Sequence, residues 1–156
     1  MSPHPRQTDF ARTARPVRSF LDTNLLLYCD DQAHPEKQAR ALALILQLRQ
    51  ERVGVVSLQV LQEYYVNAVR KYGTDPATAR KKVEIYSRFE VVEPQTDDLL
   101  AAIDLHRSRM LSFWDAMVIH AARRAGCRFL YSEDLQHGQT IDGVHIVNPF
   151  LAGISE

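Results

Sequence analysis

The sequence predicts an α/β fold with a mostly parallel, twisted central sheet flanked by helices. Two observations carry that prediction. Short runs rich in β-branched and apolar residues alternate along the chain with longer segments of helical periodicity, the pattern of βα units. Composition agrees: 156 residues, 46% hydrophobic and 24% charged with a mean hydropathy of −0.26, suit one domain able to bury a core of its own.

Taken in order, the strand segments are Val17–Leu21, Val53–Val56, Glu90–Val92, Phe129–Tyr131 and His145–Val147. Between them the spacing predicts amphipathic helices. The first, Pro35–Arg49, carries Ala39, Leu42, Ile45, Leu46 and Leu48 as its apolar positions. Leu58–Tyr72 follows, capped by Ser57, and then Pro76–Phe89, opened by Asp75 as cap and Pro76 in the first turn. Asp97–Met110 is expected to be capped by Thr96. Phe113–Ala125 is expected to be capped by Ser112 and stopped by Gly126. No repeat, low-complexity tract or internal linker interrupts this order, so residues 17–156 read as a single domain. Residues 1–16 read as a basic, flexible N-terminal tail, since residues 1–18 hold four Arg against one Asp.

Lys+Arg and Asp+Glu both number 19, so net charge points to no partner. No apolar run approaches the ~18 residues a membrane span needs, and the polar start shows no secretory signal, so no membrane association is expected. Cys29 and Cys127 stand far apart in no paired motif and read as buried thiols of a reducing cytoplasm. The six histidines show no ligand spacing, which argues against zinc or an iron–sulfur cluster.

Four acids carry the functional question. Asp22 follows the first strand and Asp134 follows a later one, and in an open parallel sheet ligands bind beyond the carboxyl ends of strands. Each also has a structural reading, Asp22 as a helix cap and Asp134 as a turn residue. Asp115 lies in SFWDAMVIHAARRAG, where Ser112 and Asp115 make S-x-x-D, close to a capping box. It also shares a face with Val118, Ile119 and Ala122, which aims it toward a cleft beside the sheet. Glu63 falls in a polar line with Gln59 and Asn67, either a solvated face or the border of a groove. Clustered carboxylates repel unless a cation is present, and oxygen-only ligands favour a hard ion, Mg²⁺ or Mn²⁺. Such ions serve phosphodiester cleavage.

At these same residues the sequence resembles the PIN-domain nucleases, and more closely VapC-type toxins of type II toxin–antitoxin systems. FLDTNLLLY, VSLQVLQEYY, LSFWDAMVIHAA, and LYSEDLQHG followed by VNPF resemble the family's motifs in order, from about Arg18 to Phe150. The resemblance implies a PIN-like three-layer fold and a catalytic, metal-holding set of Asp22, Glu63, Asp115 and Asp134. Thr23, Asn24 and Ser132 would orient those ligands or the scissile phosphate. Ser132 stands where the family often has Thr, keeping a hydroxyl, and Glu133 is an added acid that serves as an alternate fourth ligand or stays exposed. The implied activity is endoribonuclease cleavage by metal-activated water. The implied partners are an RNA substrate, a cognate antitoxin and a second copy in a homodimer. Arg70 and Lys71 are candidate RNA-phosphate contacts, with Arg80, Lys81 and Lys82 beside them. Tyr64 and Tyr65 suit base stacking or core packing, and Trp114 is expected to pack beside the site. A PIN-like module without catalysis, serving RNA binding or assembly, is the alternative. An aspartate-nucleophile phosphotransferase fits less well, because Asn24 stands where such enzymes typically carry a second Asp.

Overall fold

A computed structural model describes residues 17–151, so the expected tail over residues 1–16 lies outside the described residues. Strands β1 (Ser19–Leu21), β2 (Gly54–Ser57), β3 (Glu90–Val92), β4 (Phe129–Tyr131), β5 (Thr140–Ile141) and β6 (Val144–Val147) form one sheet in the order β3-β2-β1-β4-β6-β5. Every neighbouring pair is parallel except β5 with β6. The parallel α/β class is therefore as the sequence predicts. The short β5 is an addition: two residues are too few to show an alternating pattern, and a type of hairpin set by Asp142 and Gly143 at positive φ brings it back onto β6.

The helices are α1 (Thr23–Tyr28), α2 (Pro35–Glu51), α3 (Leu58–Arg70), α4 (Pro76–Tyr86), α5 (Thr96–Ser108) and α6 (Phe113–Arg124). Steps from β1 to β2 and from β2 to β3 run the same way across the sheet, whereas β3 to β4 returns past β1. With right-handed crossovers this puts α1–α4 on one face and α5 with α6 on the other. The side chains agree. A Cβ on Gly54 would meet Leu48 of α2 and Phe89, while Ser57, on the opposite face of the same strand, borders a narrow cleft with Met117 and His120 of α6. Three layers result, with Phe20, Leu21, Val55, Val56, Leu130 and Ile146 buried between them.

Local chemistry sets the helix ends. Ser57 Oγ accepts from the Val60 amide at 3.2 Å, and Asp75 accepts from the amides of Ala77 and Thr78. Ser112 Oγ accepts from the Asp115 amide at 3.1 Å, and Gly126 follows α6 at φ 71°. The expected Thr96 cap is displaced by one residue: Gln95 is the cap, and Asp98 accepts from its amide at 2.8 Å. Asp98 also meets His120 at 2.9 Å and Arg124 at 2.5 Å, fastening the start of α5 to the end of α6.

The apolar stripe expected on α2 is corrected. Its buried face is Ala41, Ile45 and Leu48, while Ala39, Leu42 and Leu46 face outward. The helix is rich in Ala and Leu on both faces, so periodicity alone did not choose between them. Trp114, expected to pack beside the site, is 61% exposed, with its ring edge-on to Phe113 at 4.9 Å. Cys29 and Cys127 are buried free thiols, as expected. Among the described residues no helix is long and apolar enough to cross a membrane.

Gly54 supplies a test of the sheet–helix packing. Its missing side chain makes room for Phe89, whose Cδ1 and Cε1 would lie 2.5 Å from an added Cβ. Gly54→Ala is expected to lower unfolding stability by about 1–3 kcal/mol, the range for overpacking. Urea denaturation of the two proteins measures it.

Candidate active site

The chain leaves β1 at the point where the strand order reverses. β1 lies between β2 and β4, reached by crossovers of opposite direction, and such a switch point opens a groove at the carboxyl ends of the strands. Leu21 pairs with Tyr131, and the Asp22 amide donates to the Tyr131 carbonyl at 3.0 Å. Asp22 and Ser132 therefore emerge side by side at that rim.

Asp22 is buried, at 7% exposure, and its carboxylate accepts two hydrogen bonds. Oδ1 takes the Thr23 amide at 2.8 Å and Oδ2 takes the Ser132 hydroxyl at 2.8 Å. Asp22 is thus itself the N-cap of α1. Desolvation raises its pKa from 3.8 to about 6; the Ser132 and Thr23 bonds pull the other way, and the charges of Asp134 and Glu63 add to the rise.

Two neighbouring residues of the same turn reach the other acids. Thr23 Oγ1 donates to Glu63 Oε2 at 2.7 Å, and Asn24 Nδ2 donates to Asp134 Oδ2 at 2.8 Å. Glu63 is half-buried on α3 and also accepts from Gln59 Nε2 at 2.8 Å, while the Asn67 side chain caps its carbonyl at 2.9 Å. The polar line of Gln59, Glu63 and Asn67 is therefore one bonded row. Asp134 is exposed at the rim, and its amide donates to Ser132 Oγ at 3.2 Å. Asp22, Glu63 and Asp134 are brought together through Thr23, Asn24 and Ser132.

Asp115 stands in the first turn of α6, half-buried, on a helix packed against β2, β4 and β6. Among the described residues its carboxylate makes no hydrogen bond or ion pair. Glu133 is directed elsewhere: Lys37 Nζ donates to it at 2.7 Å and Tyr28 Oη at 2.6 Å. Burial would raise its pKa, but the Lys37 and Tyr28 hydrogen bonds outweigh that and hold the carboxyl below its usual range. Lys37 and Tyr28 were not legible as neighbours of these acids, because they meet Glu133 across 96 and 105 residues with no local signal.

The donor set suits a hard cation: carboxylate and hydroxyl oxygens, one acid short of its ordinary ionisation and two more acids bearing on it. As the side chains stand, no three His, Cys, Asp or Glu among the described residues are gathered tightly enough to hold an ion. Thr23 and Asn24 occupy oxygens of Glu63 and Asp134 that an ion would take.

The expected RNA contacts divide. Arg70, Lys71, Arg80 and Lys81 are exposed, whereas Lys82 is paired with Asp30. Tyr64 is fully buried with its hydroxyl donating to Asp30 at 2.7 Å, which leaves Tyr65, 38% exposed, as the tyrosine open to a base.

Comparison with known proteins places the chain in a family. The model of the PIN domain family matches residues 19–140, and the chain belongs to that family. Among solved structures it resembles VapC20 of Mycobacterium tuberculosis, described as a toxin that cleaves the sarcin–ricin loop. The match has 23% identity and a TM-score of 0.57, over 73% of this chain and 88% of that one. It also resembles a chain of a toxin–antitoxin complex from Klebsiella pneumoniae, at 20% identity and a TM-score of 0.62, over 85% of this chain and 98% of that one. No curated protein matches the sequence.

A carboxyl whose folded pKa lies above its unfolded value favours folding while protonated, and that contribution is lost as pH rises from about 4 through about 6. In EDTA, Asp22→Asn is therefore expected to match wild type near pH 4 and to exceed it by roughly 2–3 kcal/mol above pH 7. Denaturation at both pH values measures the difference. A gap that does not change with pH would remove burial of the charge as its cause.

Proposed function

We propose that this protein is a metal-dependent endoribonuclease of the VapC type, a toxin held inactive by a cognate antitoxin. The observation that carries this reading is the bonded arrangement of Asp22, Glu63 and Asp134 around the Thr23-Asn24 turn at the strand-order reversal. Membership of the PIN family and the likeness in fold to a toxin and to a chain of a toxin–antitoxin complex support it.

In this reading Asp22, Glu63, Asp115 and Asp134 would hold Mg²⁺ or Mn²⁺, which would supply activation of water near neutral pH and neutralisation of charge on the scissile phosphate. Ser132 holds one oxygen of Asp22 in place, and the Thr23 amide holds the other. Thr23 and Asn24 orient Glu63 and Asp134 through their hydroxyl and amide hydrogen bonds. Asp115 stands in the first turn of α6, where the positive end of the helix dipole faces its carboxylate. Arg70 and Lys71, exposed at the end of the helix that carries Glu63, offset the acidity of the groove toward RNA. The remaining parts of the reading are a homodimer, a cytoplasmic location and one PIN domain over residues 17–156.

Asp22→Asn and Asp115→Asn are each expected to keep the fold and to lower Mg²⁺-dependent RNA cleavage by more than about 100-fold, beyond the range typical of outer-shell partners. Sequencing of the cut ends should find 5′-phosphate and 3′-hydroxyl termini that EDTA abolishes. Undiminished cleavage by both variants would sink the assignment. A wild-type protein that binds RNA without cutting it would favour the non-catalytic module.

A further inference from the structure

The chain presents two adjacent acids where the site has use for one, and the structure separates them. Asn24 and Tyr28 are four residues apart on α1 and so share a face of that helix. Asn24 holds Asp134 at 2.8 Å, and Tyr28 holds Glu133 at 2.6 Å. Lys37, from α2, completes the second contact: its Nζ lies 2.7 Å from Glu133 Oε2 and 3.3 Å from Tyr28 Oη. The same ammonium sits 4.9 Å from the Tyr28 ring centroid and 5.5 Å from that of Phe150. Phe150 packs edge-on against Tyr28 at 4.9 Å, and Arg40 fixes its segment by donating to the Pro149 carbonyl at 2.8 Å.

Both oxygens of Glu133 are thus taken by strong donors, one of them charged, and its negative charge is neutralised where it stands. Ser132 on one side of it is pinned to Asp22, and Asp134 on the other side faces Asn24. We propose that Lys37 and Tyr28 are positioning residues for the reaction: by clamping Glu133 against α1 and α2 they fix the Ser132–Asp134 loop so that Asp134, and not Glu133, is aimed at the ion. The inference rests on the metal-dependent nuclease reading above and adds three residues to it that act through Asp134 without touching substrate.

The test compares wild type with Lys37→Met, Lys37→Arg, Tyr28→Phe, Glu133→Gln and the double variant Lys37→Met/Glu133→Gln. Three readouts are taken: Mn²⁺ affinity by calorimetry, kcat and KM on a cleavable RNA, and the metal-free melting temperature. Lys37→Met, Tyr28→Phe and Glu133→Gln are expected to weaken Mn²⁺ binding by about tenfold, as removal of outer-shell partners does, and to lower kcat with little change in KM. Lys37→Arg is expected to retain most of both. The double variant is expected to lose no more than Lys37→Met alone, because both changes open one clamp. Tyr28→Phe removes a single hydroxyl and guards against loss of fold in the others.

A raised KM in Lys37→Met with Glu133→Gln unaffected would make Lys37 a direct phosphate contact and overturn the proposal. Wild-type Mn²⁺ affinity and kcat in all the variants would overturn it too, with the nuclease reading intact. A wild-type protein that neither binds Mn²⁺ nor cuts RNA would fail the nuclease reading itself, and the clamp's role with it.

Discussion

Much of this structure is arranged around one buried charge. Asp22 ends the central strand with its carboxylate almost out of water, held by one backbone amide and one hydroxyl. Two such hydrogen bonds do not offset the loss of hydration, and the neighbouring acids make ionisation less favourable still. The protein therefore keeps a carboxyl where a positive ion would relieve several unfavourable terms at once. An acid placed there for folding alone would be better replaced by an apolar side chain.

From that residue the first helix distributes contacts in order. Asp22 caps it, Thr23 reaches Glu63, Asn24 reaches Asp134, and Tyr28 reaches Glu133. Just past its end, Asp30 receives the Tyr64 hydroxyl and pairs with Lys82. The helix is only six residues long and would not persist alone in water, so its order comes from these ties and from buried Leu25, Leu26 and Leu27. Two of the ties, Thr23–Glu63 and Asp30–Tyr64, run to the same partner helix, one from each end. The acids consequently sit on elements whose relative positions are fixed, which precise ligand geometry requires.

How much of this was legible depended on whether the cause was local. The alternation of strand and helix, the Ser57, Asp75 and Ser112 caps and the Gly126 stop are written in adjacent residues, and they stand in the structure. The Asp22 turn was legible as a cap or a ligand; a single carboxylate with two oxygens leaves both uses compatible, and the cap is what is seen. The outer face of α2 was misassigned because Leu42 and Leu46 satisfy helical periodicity as well as Ile45 and Leu48 do. Exposure of Trp114 and the pairing of Lys82 with Asp30 depend on tertiary placement that no short window contains.

The site is also late to exist. Ser132 and the Asp22 oxygen it satisfies are 110 residues apart, as are Asn24 and Asp134. Until β4 slots in beside β1, Asp22 is an ordinary hydrated acid at a strand end and nothing gathers its partners. A chain emerging from the ribosome carries Asp22 and Glu63 long before it carries the strand that closes the pocket between them. Closing the groove therefore depends on contacts of high sequence separation, whose loop-closure entropy slows folding.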